Sequence, residues 1–422
     1  MKKMPIHWGI LFSFFMIFGL LLRPAFGLDI SLTVANREAS AKTAEPITSG
    51  VPFAEGILTG ITQVRLLQNN VEIPAQFKIL ARWPDNSIRW LLVDFQTDLP
   101  ASGSASVVLQ TGTAPAAVSG ITVDDQASTL TVNTGSRIFA FTKTELVVGG
   151  NYFEAVFGGA TYRAVPQTGG WQVEESGPMK TVIRVDGGWL NGGARLGNTL
   201  IGFRARLYFF RNQSPFRVQF TFKNNNSFGW DSASGIAVTL SGVNFSVPLL
   251  PAGGAYIFGQ GVEKTWDIDV PASGPPAVRD SRYNSNGSLA GGSAAPRPLA
   301  VAGPAYYAST KAWGQVTLPL SGFSSSVQAE FDRFEKFQQA KVIAAEVENP
   351  PGLTGITLWQ HLHQDIGRWN DYGDQRWDGD AGPLSGNHYD WSYGMTLQFF
   401  RTGRLPFFDM ARVLARHEID FD

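Results

Sequence analysis

The histidines of this sequence are concentrated near its C-terminus. Four of the five are His361, His363, His388 and His417, and more than 300 residues without a histidine separate them from His7. Histidine exchanges protons near neutral pH because its ordinary pKa lies close to that range. We therefore expect any proton-transfer chemistry in the last part of the chain.

One stretch of this tail combines three kinds of side chain that acid–base chemistry uses. Asn387, His388 and Tyr389 are adjacent, and Arg368 and Arg376 precede them by one loop. An amide or guanidinium can stabilise an anion, and an imidazole or phenol can transfer a proton. Adjacent helical residues point about 100° apart, so they cannot all face one substrate. The alternative is that His388 caps a helix and Tyr389 packs in a core.

The same tail offers little for a metal ion. His361 and His363 stand two apart, unlike the i, i+4 pairs that bind zinc from one helix face. A glycine-bearing loop holds four aspartates, Asp371, Asp374, Asp378 and Asp380. Carboxylates suit calcium, but the spacing is not that of an EF-hand, and a solvated loop that caps neighbouring helices is the alternative. We expect no required cofactor, with calcium as the ion the loop could bind.

The part of the sequence that precedes this tail, and must position it, consists mostly of strand-forming patterns. Ala75–Arg82 and Ser87–Phe95 alternate in polarity around a turn, and Phe203–Lys223 does the same, so each predicts an antiparallel hairpin. Strand patterns continue to about Val347. After Pro350 apolar residues recur at steps of three and four, which predicts helices.

Composition divides the sequence into four parts. Residues 1–27 resemble a signal peptide, 28–115 form a first β domain, 120–347 a second β domain, and 350–422 a helical segment. A Pro-, Gly- and Ser-rich stretch at 271–304 is either a surface excursion of the second domain or a linker.

The first 27 residues have the export pattern. Lys2 and Lys3 precede the apolar run Trp8–Leu22, and Ala25-Phe26-Gly27 is a small-x-small cleavage site. An uncleaved anchor is the alternative, but fifteen apolar residues fall short of the roughly 20 that span a bilayer. We expect a mature chain from near Leu28, periplasmic or secreted, with no membrane span after cleavage.

The overall composition limits the classes of binding partner and of chemistry to expect. There are 34 basic and 35 acidic residues, giving a net charge of −1, so we expect no nucleic acid partner. No cysteine is present, which excludes disulfides and thiolate chemistry. Aromatic residues are abundant and could stack on sugar rings, although most are expected to fill β cores.

The N-terminal motifs carry a family resemblance. Gly50–Gly56, Ile73–Gln76, Ala81–Trp90 and Leu91–Phe95 resemble the N-terminal RIFT-related barrel of the exo-rhamnogalacturonan lyase-like proteins. That family continues with a central β-sandwich and a C-terminal α/α toroid, in the order of patterns found here. The resemblance implies a multidomain, mainly β fold: a RIFT-like β-barrel, an antiparallel β-sandwich and a short α-helical segment.

The tail is similar to the opening of that toroid, through Trp369–Asp374, Trp377–Asp380, Tyr389–Trp391 and Phe399–Gly403. Only 72 residues follow Pro350, enough for about three helices, so the ring does not close within this sequence. We expect a natural truncation, an interrupted gene, or a second chain that completes the helical domain. The apolar faces of Leu405 to Phe421 would then lack a local cover.

The resemblance implies β-elimination on a uronate-containing polysaccharide. Such a reaction needs a group that contacts the carboxylate, a base for the C5 proton and an acid for the leaving oxygen. We assign these roles to Arg368, His388 and Tyr389, in that order. A Glu often stands before the Tyr-Asp pair in the family, so His388 is a departure. A non-catalytic carbohydrate-binding or envelope scaffold protein and a split-gene fragment are the alternatives.

Overall fold

The structure is a computed structural model that describes residues 27–225, 237–242, 245–250, 263–279, 294–340 and 391–421. Two β domains and a set of helices make up these ranges. None of the helices in these ranges is long and apolar enough to cross a bilayer.

Two sheets enclose the core of the first domain. The first has five strands, β1 (Asp29–Ala35), β3 (Val64–Gln68), β4 (Val71–Ile73), β7 (Ser104–Thr111) and β22 (Ala300–Val301). The second has three, β2 (Lys42–Pro52), β5 (Ala75–Arg82) and β6 (Ile88–Leu99). Their orders are β22-β1-β7-β3-β4 and β2-β6-β5. Apolar side chains from both sheets meet in one buried cluster, so the sheets form one domain.

The predicted hairpin of the first domain is confirmed, since β5 and β6 pair antiparallel. Asp85 accepts hydrogen bonds from the backbone N–H (2.9 Å) and the hydroxyl (2.6 Å) of Ser87, which close the connecting turn. Asn86 adopts a φ of 68°, a conformation that asparagine tolerates better than most residues.

The second domain contains a small and a large sheet. The small one comprises β8 (Thr122–Asp125), β9 (Thr129–Asn133) and β10 (Ile138–Thr142). The large one comprises β11 (Val147–Val148), β12 (Asn151–Phe157), β13 (Ala160–Glu175), β14 (Lys180–Asn191), β15 (Ala194–Arg195), β16 (Ile201–Phe210), β17 (Phe216–Asn224), β18 (Ala237–Gly242), β19 (Phe245–Leu250), β20 (Glu263–Val270) and β21 (Ala277–Val278). Its main order is β19-β18-β12-β13-β14-β16-β17-β20-β21.

Aromatic rings fill the core of the second domain. Phe153 and Phe220 stack with ring centroids 3.7 Å apart, and Trp189 meets Phe220 edge-on at 5.8 Å. Burial of each such side chain stabilises the fold by about 1.5–3 kcal/mol. The second predicted hairpin is confirmed, because β16 and β17 pair antiparallel with their apolar residues in this core.

Four helices lie in the described C-terminal part: α1 (Pro304–Thr310), α2 (Ser325–Ala340), α3 (Trp391–Thr402) and α4 (Leu405–Phe421). The expectation of strands up to Val347 is wrong for residues 304–310 and 325–340. Helix α2 is rich in the strong helix formers Gln, Glu and Ala and has no β-branched run. Strand β22 and helix α1 belong to the core of the first domain, although they follow the second domain in sequence.

Helices α3 and α4 confirm the predicted helical tail within residues 391–421. Gly403, with a φ of 70°, ends α3, and Pro406 lies in the first turn of α4. The expectation of uncovered apolar faces is wrong for Phe407 and Ala411, which are buried against the first domain. A bidentate ion pair between Arg37 of the first domain and Asp409 of α4 adds to this contact. The predicted helical pattern at Leu358–Trp369 lies outside the described residues.

Candidate functional site

The residues that the sequence singles out for chemistry are not among those described. Arg368, His388 and Tyr389 lie within residues 341–390, as do the four aspartates of the predicted calcium loop. Their roles stay predictions. Across the described ranges, no group of three or more His, Asp or Glu side chains could hold a metal ion.

A cavity of about 540 Å³ lies where the two β domains and the C-terminal helices meet. We call it the junction cleft. Its walls are β2 and β6 of the first domain, the outer face of the large sheet, residues 296–300, and helices α3 and α4. Residues distant in the sequence therefore converge on one space, which a single local motif could not reveal.

A buried polar cluster joins the two domains and reaches the junction cleft through Lys180. The Nζ of Lys180 lies 2.8 Å from Asp94 and 3.3 Å from Glu175. Gln76 donates to Glu175 at 2.8 Å and accepts from the backbone N–H groups of Met179 and Lys180 at 3.0 Å. Burial raises the pKa of Asp94, and the charge of Lys180 only partly offsets this effect. The contact between the two domains is thus held by charges and hydrogen bonds.

The wall from the large sheet carries a phenol and a guanidinium side by side. Tyr208 on β16 is paired with Arg217 on β17, and the Tyr208 hydroxyl donates to Gln219 at 2.8 Å. Burial raises the pKa of Tyr208 well above its usual value, so the phenol is neutral at physiological pH. Arg217 pairs with Glu45 at 2.8 Å, and burial lowers its pKa to about 10. Arg217 therefore remains cationic at neutral pH.

A second guanidinium enters from the segment that leads back to the first domain. Arg297 lies 2.9 Å from Asp269, and Arg279 lies 3.0 Å from the other oxygen of the same carboxylate. Burial opposes ionisation of Asp269, but the charges of Arg297, Arg279 and Arg217 outweigh it and lower its pKa to about 2. Asp269 is therefore ionised and fixes the orientation of the guanidinium groups around it.

Aromatic rings form another part of the lining. Trp90 stacks on Phe400 of α3 with centroids 6.0 Å apart, and Tyr307 of α1 lies 4.7 Å from the same ring. Phe408 of α4 also lines the cavity. Helices α1, α3 and α4 thereby add an apolar part to a lining that also carries charged groups.

This arrangement suits a ligand that presents both an anionic group and an apolar face. The guanidinium groups of Arg217 and Arg297 can bind a carboxylate, and the neutral Tyr208 can donate or accept a hydrogen bond. The sequence did not single out these residues as functional. The only available signal was the strict alternation along β17, which placed Arg217 and Gln219 on one face but could not show what lies opposite.

Two protein-family comparisons match parts of the chain. Residues 31–107 match the PcRGLX-like N-terminal RIFT barrel domain, and residues 161–253 match the PcRGLX-like protein central beta sandwich domain. These matches confirm the mainly β fold and the order of barrel and sandwich. The toroid resemblance of the tail stays a prediction. No curated protein sequence matches the chain.

Two solved structures are similar at low level, an alpha-mannosidase from Enterococcus faecalis V583 and a protein in the glycosyl hydrolase family 38 from Enterococcus faecalis. Each is 11% identical over 59% of this chain, with a TM-score of 0.30. The chain spans 39% of the first structure and 40% of the second, about two fifths of their length. So low a TM-score supports no functional conclusion. From the two domain matches, the chain carries an N-terminal RIFT barrel domain and a central β-sandwich domain of the PcRGLX-like kind.

Proposed function

We propose that this protein binds a uronate-containing polysaccharide in the junction cleft. The observation that carries the proposal is the combination, in one cavity of about 540 Å³, of aromatic rings with oriented guanidinium groups. Aromatic faces pack against the apolar C–H faces of sugar rings, and guanidinium groups bind carboxylates through paired N–H donors. A neutral sugar would use the aromatic rings alone, so the presence of the two arginines favours an acidic sugar.

The two arginines are suited to this role because they are already held in place. Arg217 is fixed by Glu45, and its guanidinium packs 4.8 Å from the centroid of Phe210. Arg297 is fixed by Asp269. Side chains ordered before binding lose less conformational entropy when the ligand arrives. Each guanidinium has five N–H donors, so a carboxylate anchor leaves donors for a sugar.

We further propose that the bound polysaccharide is cleaved by β-elimination. The resemblance of the sequence motifs to the exo-rhamnogalacturonan lyase-like proteins supports this reading. Arg368 would contact the uronate carboxylate, His388 would remove the C5 proton and Tyr389 would protonate the leaving oxygen. The export pattern of the first 27 residues supports action in the periplasm or outside the cell.

Binding and cleavage can be tested separately. Calorimetric titration with a hexamer of galacturonate, and with a neutral hexasaccharide as control, measures binding. We expect the acidic hexamer to bind more tightly, and equal or absent binding of both would refute the cleft proposal. Absorbance of the unsaturated uronate product, followed with and without EDTA, measures cleavage and any calcium requirement. Binding without product would favour a non-catalytic carbohydrate-binding protein.

A further inference from the structure

Three arginines lie together on the outer face of the large sheet, next to the junction cleft. Arg184 is on β14, and Arg204 and Arg206 are on β16. Arg184 is paired directly with Arg206 across the two strands. Their side chains are 26%, 31% and 31% exposed, so all three reach solvent. We call these residues the arginine face.

Two carboxylates hold the three guanidinium groups in place. Glu174 accepts two hydrogen bonds from Arg206, at 2.6 and 3.0 Å. Asp186 lies 2.8 Å from Arg204 and 2.9 Å from Arg184. Three cations therefore share two anions, which leaves one positive charge on the face. Fifteen N–H donors, five on each guanidinium, exceed what two carboxylates can accept.

The arginine face is continuous with the junction cleft. Arg206 is paired across the strands with Gln219, which lines the cleft, and Tyr208 follows Arg206 by two residues on the same side of β16. A strand rises about 3.3 Å per residue, so the Cα atom of Arg204 lies about 13 Å from that of Tyr208. A linear ligand that leaves the cleft along β16 would therefore pass over all three arginines.

We propose that the arginine face binds the part of an anionic polysaccharide that extends beyond the junction cleft. This inference rests on the proposed function, because it takes the cleft as the site for one end of the same polyuronate. Carboxylates spaced along such a chain complement oriented guanidinium groups on one face of a sheet. An apolar protein partner would instead require a hydrophobic surface, and this face is built of ion pairs.

The first test compares ligands of two lengths. The double substitution Arg204→Gln and Arg206→Gln should weaken binding of a galacturonate hexamer about tenfold and leave a dimer within twofold of the unchanged protein. Arg65→Gln is the matched control, since Arg65 is 28% exposed and lies 3.7 Å from Glu72, on β3 of the barrel. The control should bind both ligands as the unchanged protein does.

The second test predicts a gain of affinity. Glu174→Gln removes a carboxylate that competes for Arg206 and raises the charge of the face by one, so the hexamer should bind a few times more tightly. A residue that only maintained structure would give no gain. Circular dichroism and thermal melting establish that each variant remains folded, as expected for exposed ion pairs.

The possible results separate the two proposals. If the unchanged protein binds neither ligand, the proposed function fails and the arginine face fails with it. If the dimer binds but lengthening it adds no affinity, or if the double substitution leaves hexamer binding intact, the arginine face alone is refuted. If hexamer binding depends on Arg204 and Arg206 but not on Arg217 or Arg297, the cleft proposal fails, and the inference that the face extends the cleft fails with it.

Discussion

The buried ion pair between Asp94 and Lys180 connects the barrel to the sandwich, and replacing Lys180 with Met should weaken that connection. The two side chains are 3% and 6% exposed, with 2.8 Å between Nζ and the carboxylate. Met keeps most of the length of Lys but leaves the Asp94 charge without its cation. Removal of one partner from a buried pair typically costs about 3–5 kcal/mol. We expect a loss of that size at pH 8.

The loss should depend on pH, with a sign that follows from Asp94. Burial raises the pKa of Asp94 in the folded protein, so the folded state binds more protons than the unfolded state between about 3.9 and the raised value. The contribution of Asp94 to stability is thus fully present below about pH 3.9 and is lost as pH rises through the raised pKa. Without Lys180 that pKa rises further, so the penalty of the substitution should be smaller at pH 5 than at pH 8.

Urea unfolding at 25 °C, followed by tryptophan fluorescence at both pH values, measures the free energy of unfolding. Lys78→Met is the matched control, because Lys78 is 50% exposed and contacts Glu175 at 3.4 Å. It should cost less than about 1 kcal/mol. The double substitution Asp94→Asn and Lys180→Met should recover much of the loss. A loss below 1 kcal/mol for Lys180→Met, or one that does not change with pH, would refute the reasoning.

Substitutions in the junction cleft, in the histidine-bearing tail and in helix α4 should each affect a different property of the protein. Arg297→Gln should weaken binding of galacturonate oligomers about tenfold in calorimetric titration and leave neutral oligosaccharides unaffected, and equal effects on both would contradict carboxylate recognition. His388→Ala and Tyr389→Phe should each lower formation of unsaturated uronate at least a hundredfold, and unchanged activity would show that these assignments are wrong. Phe407→Ala should destabilise the packing of α4 on the barrel by about 3–5 kcal/mol, seen as faster hydrogen exchange in α4.

Patterns in short stretches of the sequence correctly predicted the elements whose structure depends on neighbouring residues. The alternation of Phe216 to Lys223 and the turn at Trp83–Asn86 specify hairpins through side-chain period and turn chemistry alone, and both hairpins are present. The same rules fail where tertiary packing decides. Residues 300–301 add a strand to the barrel from a position almost 190 residues after β7, and a two-residue strand leaves no periodic signal.

The junction cleft was not predictable for a related reason. Lys180, Arg217 and Arg297 are ordinary charged residues in their local sequence, and only the packing of sandwich against barrel and helices brings them to one cavity. Sequence reasoning instead favoured His388, because a rare residue type in a cluster is visible without a structure. The proposed binding of an acidic sugar and the proposed proton transfer therefore lie in different parts of the sequence, the first at the junction cleft and the second around His388.

Binding in the junction cleft and cleavage should depend on pH in different ways. Arg217, whose pKa is lowered only to about 10, stays cationic between pH 7 and 9, and Tyr208, whose pKa burial raises, stays neutral. The affinity for a galacturonate hexamer should then be constant across that range when ionic strength is fixed. Cleavage that depends on His388 as a base should instead be lost at acidic pH, because a protonated imidazole cannot accept the proton. Calorimetry at pH 7, 8 and 9, beside a pH profile of kcat/KM, makes the comparison. Affinity that falls within pH 7–9 would mean that a group in the cleft itself titrates there, and the separation of binding from proton transfer would be wrong.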